Sequence, residues 1–148
     1  MRPFLLAANL VWSFLVVTTF HVSDHVIYMT QWGNNLVTVH LLLATMVAHG
    51  MLSCHRVVQV TFQIAFSVEI LITSVFWGIL YHVSQDEIKA KGLDDFTINM
   101  IILLHVFPMV FIALEWAVSK YRFRTADSLY FNVFGVFYIG INYVATLM

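Results

Sequence analysis

An all-α fold, built as a polytopic bundle of about five transmembrane helices, is what this sequence predicts, and three observations lead there. Of its 148 residues, 61% are hydrophobic and only 10% are charged, whereas a soluble domain carries about a quarter charged residues. The mean hydropathy is +0.86. The charges are also unevenly placed, with long uncharged runs separated by short stretches that hold nearly all of them, the layout of apolar spans joined by wet loops. The runs are continuous rather than alternating, which selects helices over barrel strands. No polar segment is long enough to fold apart, so residues 1–148 form a single transmembrane domain.

The spans are expected at 3–20, 26–52, 57–83, 96–118 and 129–148. The first follows Arg2 and resembles a signal peptide, but no small-x-small cleavage site follows, so it reads as an uncleaved helix. The second starts near His25, with Ser23 or Asp24 as its N-cap. The third is long enough to tilt. The fourth contains Pro108, which removes a backbone donor and can kink a membrane helix. Cys54 is the only cysteine, so no internal disulfide forms. No basic patch is large enough to track nucleic acid.

Orientation follows from lysine and arginine. One side holds Arg2, Arg56, Lys120, Arg122 and Arg124, and the other holds only Lys89 and Lys91 beside five acidic residues. The N-terminus is therefore expected on the cytoplasmic or equivalent side, with the C-terminus and the net-acidic 84–95 loop opposite. Tyr28, Trp32, Trp77 and Tyr81 suit one interface as anchors, and Trp116 and Tyr121 the other.

Ionisable residues inside the spans are the informative ones. Glu69 lies mid-helix, where an acidic residue costs about 2.5–3.5 kcal/mol on insertion scales. It must face the bundle, be protonated or meet a partner, either as a packing residue or as a proton, ion or ligand contact. His105 lies about 13 Å in from the outer end of the fourth span, too deep to reach the interface. Glu115, ten residues on, is expected to snorkel to the headgroups. In the second span His40 and His49 point to opposite sides, and Thr38, Thr45 and His49 share a face. His40 lies nearer the depth of His105, and two facing histidines would suit a haem or metal ion, although no spacing specifies either. Thr30 stands at the outer end of the second span, so it and His105 approach from one side. A threonine hydroxyl needs a nearby base to become nucleophilic, and histidine is the usual one.

The run Tyr28-Met29-Thr30-Gln31-Trp32, the pair Phe76-Trp77, the helix carrying His105, Pro108 and Glu115, and an aromatic helix over 130–142 occur in one order over about 120 residues. In that order and spacing the sequence resembles the androgen-induced (FAR-type) membrane protein family, which includes rolling-stone-like proteins. The resemblance implies a bundle of about six helices, of which this chain lacks the last. It implies an atypical threonine hydrolase cleaving fatty acid esters of hydroxy fatty acids, with Thr30 as nucleophile and His105 as base. It supplies no third residue to orient the histidine. By helix rise Glu69 lies about 8 Å from the depth of His105.

Three functions are consistent with the sequence. The first is an intramembrane lipid ester hydrolase with no cofactor or metal, catalytic Thr30 and His105, and candidate binding residues Glu69, His40, His49 and Asn142. The alternative is a non-catalytic structural subunit of a larger membrane complex, which fits exposed apolar helices and an odd number of spans. A transporter or channel built on Glu69 is the third. Partners are membrane lipids and, in the subunit reading, other membrane subunits. The charge asymmetry makes a first prediction: a tag in the 84–95 loop and a tag at the C-terminus are reached by antibody from one side of sealed vesicles, and an N-terminal tag from the other. Protection of the loop tag together with the N-terminal tag would refute it.

Overall fold

The computed structural model describes residues 1–19, 29–81 and 95–147. The described chain is all-α, with no strand among these residues. Helix α1 is Arg2–Thr19, α2 is Met29–Ala48, and α3 is His55–Val75, running on into a π-helical turn at Phe76–Leu80. Helices α4 (Asp95–Leu104) and α5 (Phe107–Val118) divide the expected fourth span in two. A 3₁₀ turn at Thr125–Asp127 leads into α6 (Ser128–Leu147). The expected N-cap at Ser23 or Asp24, the anchor Tyr28 and most of the 84–95 loop lie outside the described residues.

Among the described residues, 55–80 and 98–118 are helical stretches long and apolar enough to cross a membrane, and Arg2–Thr18 is apolar but shorter. Helix α2 has the length of a span but carries Gln31, Asn34, Asn35, Thr38, His40 and Thr45. These groups explain its place: α2 packs against α1 on one side and α3 on the other, while α5 closes over all three. Val37 and Leu41 of α2 meet Leu5, Phe62, Ala65, Phe66 and Ile112 in the main apolar core. Trp12, Val16, Met100 and Leu104 form a second cluster between α1 and α4.

The polar residues of α2 are tied in pairs, since a buried polar group is costly unless hydrogen-bonded. The Thr38 hydroxyl donates to Asn9 Oδ1 at 2.6 Å, and Asn34 Nδ2 donates to Ser13 Oγ at 3.2 Å. Asn9 and Ser13 stand in the apolar first helix, where amides and hydroxyls commonly bond across to a neighbouring helix. Outside this seam, α1 and α6 turn bulky apolar side chains outward, including Phe4, Val11, Phe14, Val133, Val136 and Phe137.

Charge pairs gather where α1 begins and α5 ends. Glu115 does not snorkel: it is fully buried and accepts from Arg2 Nε at 2.8 Å and from the Ser119 hydroxyl at 2.7 Å. Arg2 Nη2 also donates to Ser119 Oγ at 2.8 Å, so the carboxyl finds its cation inside the bundle. Tyr121 is likewise not a free interfacial anchor, because its ring stacks on Phe62 at 4.6 Å. The segment between α5 and α6 is clamped to α3: Gln63 Nε2 donates to the Arg124 carbonyl at 2.9 Å and Arg124 N–H returns a bond to Gln63 Oε1 at 3.1 Å. Beside it, both terminal nitrogens of Arg56 engage the buried Asp127 carboxylate, Nη1 to Oδ2 at 2.9 Å.

The hydrogen-bonded Arg56 guanidinium holds the Asp127 carboxyl below its usual 3.8, against an opposing effect of burial. A carboxyl whose folded pKa lies below its unfolded value stabilises the fold above the unfolded value, and the contribution is lost as pH falls through the folded one. In detergent, wild-type thermal stability should therefore drop as pH falls below about 4 by more than that of Asp127→Asn. Parallel pH curves for the two proteins would show that the pair does not act this way.

Candidate active site

The site begins with a proline. Pro108 has no N–H, so it cannot serve the carbonyl four residues back and sits where a helix starts. The chain breaks at His105 and Val106, and Pro108 lies buried in the first turn of α5. At the break the backbone tightens: His105 N–H donates to the Ile102 carbonyl and Val106 N–H to that of Leu103, both at 3.1 Å. This i→i−3 pattern turns His105 N–H away from the Ile101 carbonyl, its α-helical acceptor. The imidazole takes that carbonyl instead, with Nδ1 at 2.8 Å.

A carbonyl only accepts, so Nδ1 carries the hydrogen and Nε2 bears a lone pair. Nε2 faces the Thr30 hydroxyl at 3.2 Å across 75 residues of sequence, within reach for proton transfer. Thr30 lies in the first turn of α2, where a side chain at a helix end clears the bundle wall, and both residues are half-buried. Two groups of α3 fix the histidine further. Phe76, at the start of the π-helical turn, stacks on its ring with centroids 3.6 Å apart and planes at 9°. The Thr73 hydroxyl donates to the His105 carbonyl at 3.2 Å. A π-turn inside a helix often marks a functional position, and here it sets the ring that backs the imidazole.

The arrangement is that of a hydroxyl nucleophile, a base and an orienting acceptor. The orienter is a main-chain carbonyl rather than the side chain sought in the sequence. No residue type announces it.

The other candidates divide. Glu69 is buried and lies against Gly33, one turn along α2 from Thr30, but makes no hydrogen bond to His105. His40 is nearer than His49 to the depth of His105, but it lies ten residues beyond Thr30, about 15 Å along the helix. There it meets Thr61 Oγ1 at 3.3 Å and packs against Phe62 and Tyr121. The facing-histidine reading for haem or metal therefore loses its geometry, and no three His, Cys, Asp or Glu side chains cluster for a metal among the described residues. His49 is exposed at the far end of α2, bonded to the Thr45 carbonyl at 2.8 Å. Thr38, on the same helical face, bonds Asn9 of α1. Asn142 donates to Tyr138 at 3.0 Å, and Tyr138 packs on Trp32, so Asn142 belongs to the α6 wall beside the second helix. Trp32 also meets Phe134 and Phe137, which makes it a packing residue of that wall.

Fold and site together describe an all-helical protein with an apolar exterior and a threonine–histidine pair at one end of its bundle. No protein-family model matches the chain, and no curated protein or solved structure does so either.

Because Nδ1 meets the Ile101 carbonyl, nitrogen NMR of labelled histidine should find wild-type His105 as the Nδ1–H tautomer. A wild-type Nε2–H tautomer would contradict the assigned direction of the Thr30 bond.

Proposed function

We propose that this protein is a multi-pass membrane protein that hydrolyses lipid esters, with Thr30 as nucleophile and His105 as general base. The observation that carries the reading is the 3.2 Å approach of Thr30 Oγ1 to His105 Nε2, with the tautomer favoured by the Ile101 carbonyl. Many threonines and histidines in an apolar chain never meet. This pair meets within hydrogen-bond reach, with the ring lone pair toward the hydroxyl, which supports the reading.

The chemistry follows from the atoms. Thr30 Oγ1 attacks the ester carbonyl carbon as its proton passes to His105 Nε2. The tetrahedral intermediate collapses, the alcohol oxygen leaves, and His105 returns the proton to it. Water then attacks the acyl-threonine, His105 takes a proton from it, and breaking the bond to Thr30 Oγ1 releases the free acid. Substrates are esters with long acyl chains, reaching the pair sideways from the bilayer between the outward apolar faces of the helices. The resemblance in sequence narrows them to fatty acid esters of hydroxy fatty acids. The proposed topology follows the charge asymmetry, with Arg2, Arg56 and the 120–124 cations on the cytoplasmic or equivalent side.

Purified protein should hydrolyse a branched fatty acid ester of a hydroxy fatty acid. Thr30→Ala and His105→Ala should each lower turnover by roughly 10³-fold or more while leaving the helical circular dichroism unchanged. Full activity in either variant would rule the mechanism out. An inert wild type that purifies only with other membrane proteins would favour the structural-subunit reading instead.

A further inference from the structure

Hydrolysis needs water at a site enclosed by apolar helices, and the Thr30–His105 pair supplies nothing to hold it. Glu69 is 1% exposed, and neither carboxyl oxygen has a hydrogen-bond partner among the described residues. Asn34 Oδ1 and Trp12 Nε1 are also buried and unpartnered there. Leaving such groups unbonded costs free energy, and buried polar atoms of this kind commonly share an ordered water with about three hydrogen bonds.

The three residues stand on the faces that build the site. Gly33 and Asn34 follow Thr30 by three and four residues, so they lie one turn inward on its face of α2. Glu69 precedes Thr73 and Phe76, the two residues of α3 that touch His105, by four and seven residues, and so shares their face. Trp12 packs edge-on against Phe107, two residues beyond His105, at 4.9 Å. Asn34 joins α2 to Ser13, the neighbour of Trp12. Gly33 is what lets the carboxyl in: a Cβ there would overlap Glu69 Oε1 and come within 2.7 Å of Ile72 Cδ1.

We infer that Glu69, with Asn34 and Trp12, forms a water-binding floor one helical turn beneath Thr30 and His105, and that Glu69 positions the water that cleaves the acyl-threonine. The inference rests on the hydrolase reading. Asn34 Oδ1 accepts from water, Trp12 Nε1 donates to it, and a carboxyl group bonds it in either protonation state. The water oxygen forms a bond to the acyl carbon, one water proton goes to His105 Nε2, and the carbon–Oγ1 bond of Thr30 breaks. The proton then moves from Nε2 to Thr30 Oγ1 as the free acid departs. Glu69 serves the second half of the reaction alone, because the first half consumes no water.

The test separates the two halves with p-nitrophenyl decanoate, whose coloured product leaves on acylation. Glu69→Ala should keep a burst of p-nitrophenolate close to wild type and lose steady-state turnover by about tenfold or more. Intact mass should show the decanoyl group accumulating on Thr30. Hydroxylamine, a nucleophile that replaces water, should restore turnover and yield the hydroxamate. Gly33→Ala, which displaces the same carboxyl from the opposite helix, should reproduce the defect, and Glu69→Gln should retain most of the rate because an amide still binds water. Labelling of Thr30 by a fluorophosphonate reports whether each variant keeps an assembled pair. Equal loss of burst and steady state in a Glu69→Ala protein that still labels would overturn the water role and leave the hydrolase reading standing. A wild type with no burst, no turnover and no acyl-Thr30 would remove the hydrolase reading and this inference with it.

Discussion

At Pro108 the backbone cannot complete an α-helical hydrogen bond, and much of the site depends on how that deficit is resolved. The chain tightens, the helix divides at His105 and Val106, and the imidazole takes the Ile101 carbonyl. The Ile101 carbonyl, which only accepts, sets the tautomer of the histidine, and with it the direction in which the Thr30 hydroxyl donates. The π-helical turn of α3 answers the same break from the other side by bringing Phe76 flat against the ring.

Helix α2 is the second organising element. It is rich in amides and hydroxyls, and it lies between α1 and α3. In apolar surroundings its amides and hydroxyls have no water to fall back on, so they bind neighbouring helices and set their register. Thr38 with Asn9 and Asn34 with Ser13 fix α1, Thr30 reaches the α4–α5 break, and Gly33 admits α3 closely enough for Glu69 to lie against its backbone. The result is a polar seam enclosed by an apolar shell, a layout suited to polar chemistry on an apolar molecule.

The opposite end of the bundle is held by charge. Arg2 with Glu115 ties α1 to α5, and Arg56 with Asp127 ties α3 to the segment entering α6. Along the helices Glu115 lies about three turns from His105 and Arg56 about five turns from Thr73, so the clamp and the candidate chemistry occupy separate regions. Substitutions in the clamp should act through stability, and substitutions around Pro108 through the geometry of the pair.

The helical class and the approximate helix bounds were legible in the sequence, because each is written in side-chain type and spacing, whereas the pairing of Thr30 with His105 was singled out among many threonines and histidines by the resemblance. Continuous apolar runs require helices, and a threonine and a histidine entering from one side offer a nucleophile and a base. The orienting group was illegible because it is a backbone carbonyl. Whether His40 faces His105 depends on how the helices are staggered, and Glu115 was misplaced because a snorkelling side chain and an ion-paired one look alike until the first helix supplies Arg2. Glu69 was visible as an expensive residue, but that expense does not tell what it faces. Only the rotation of α2 that sets Gly33 against α3 decided that its carboxyl lies one turn beneath the threonine, since a glycine has no side chain to hold two helices apart.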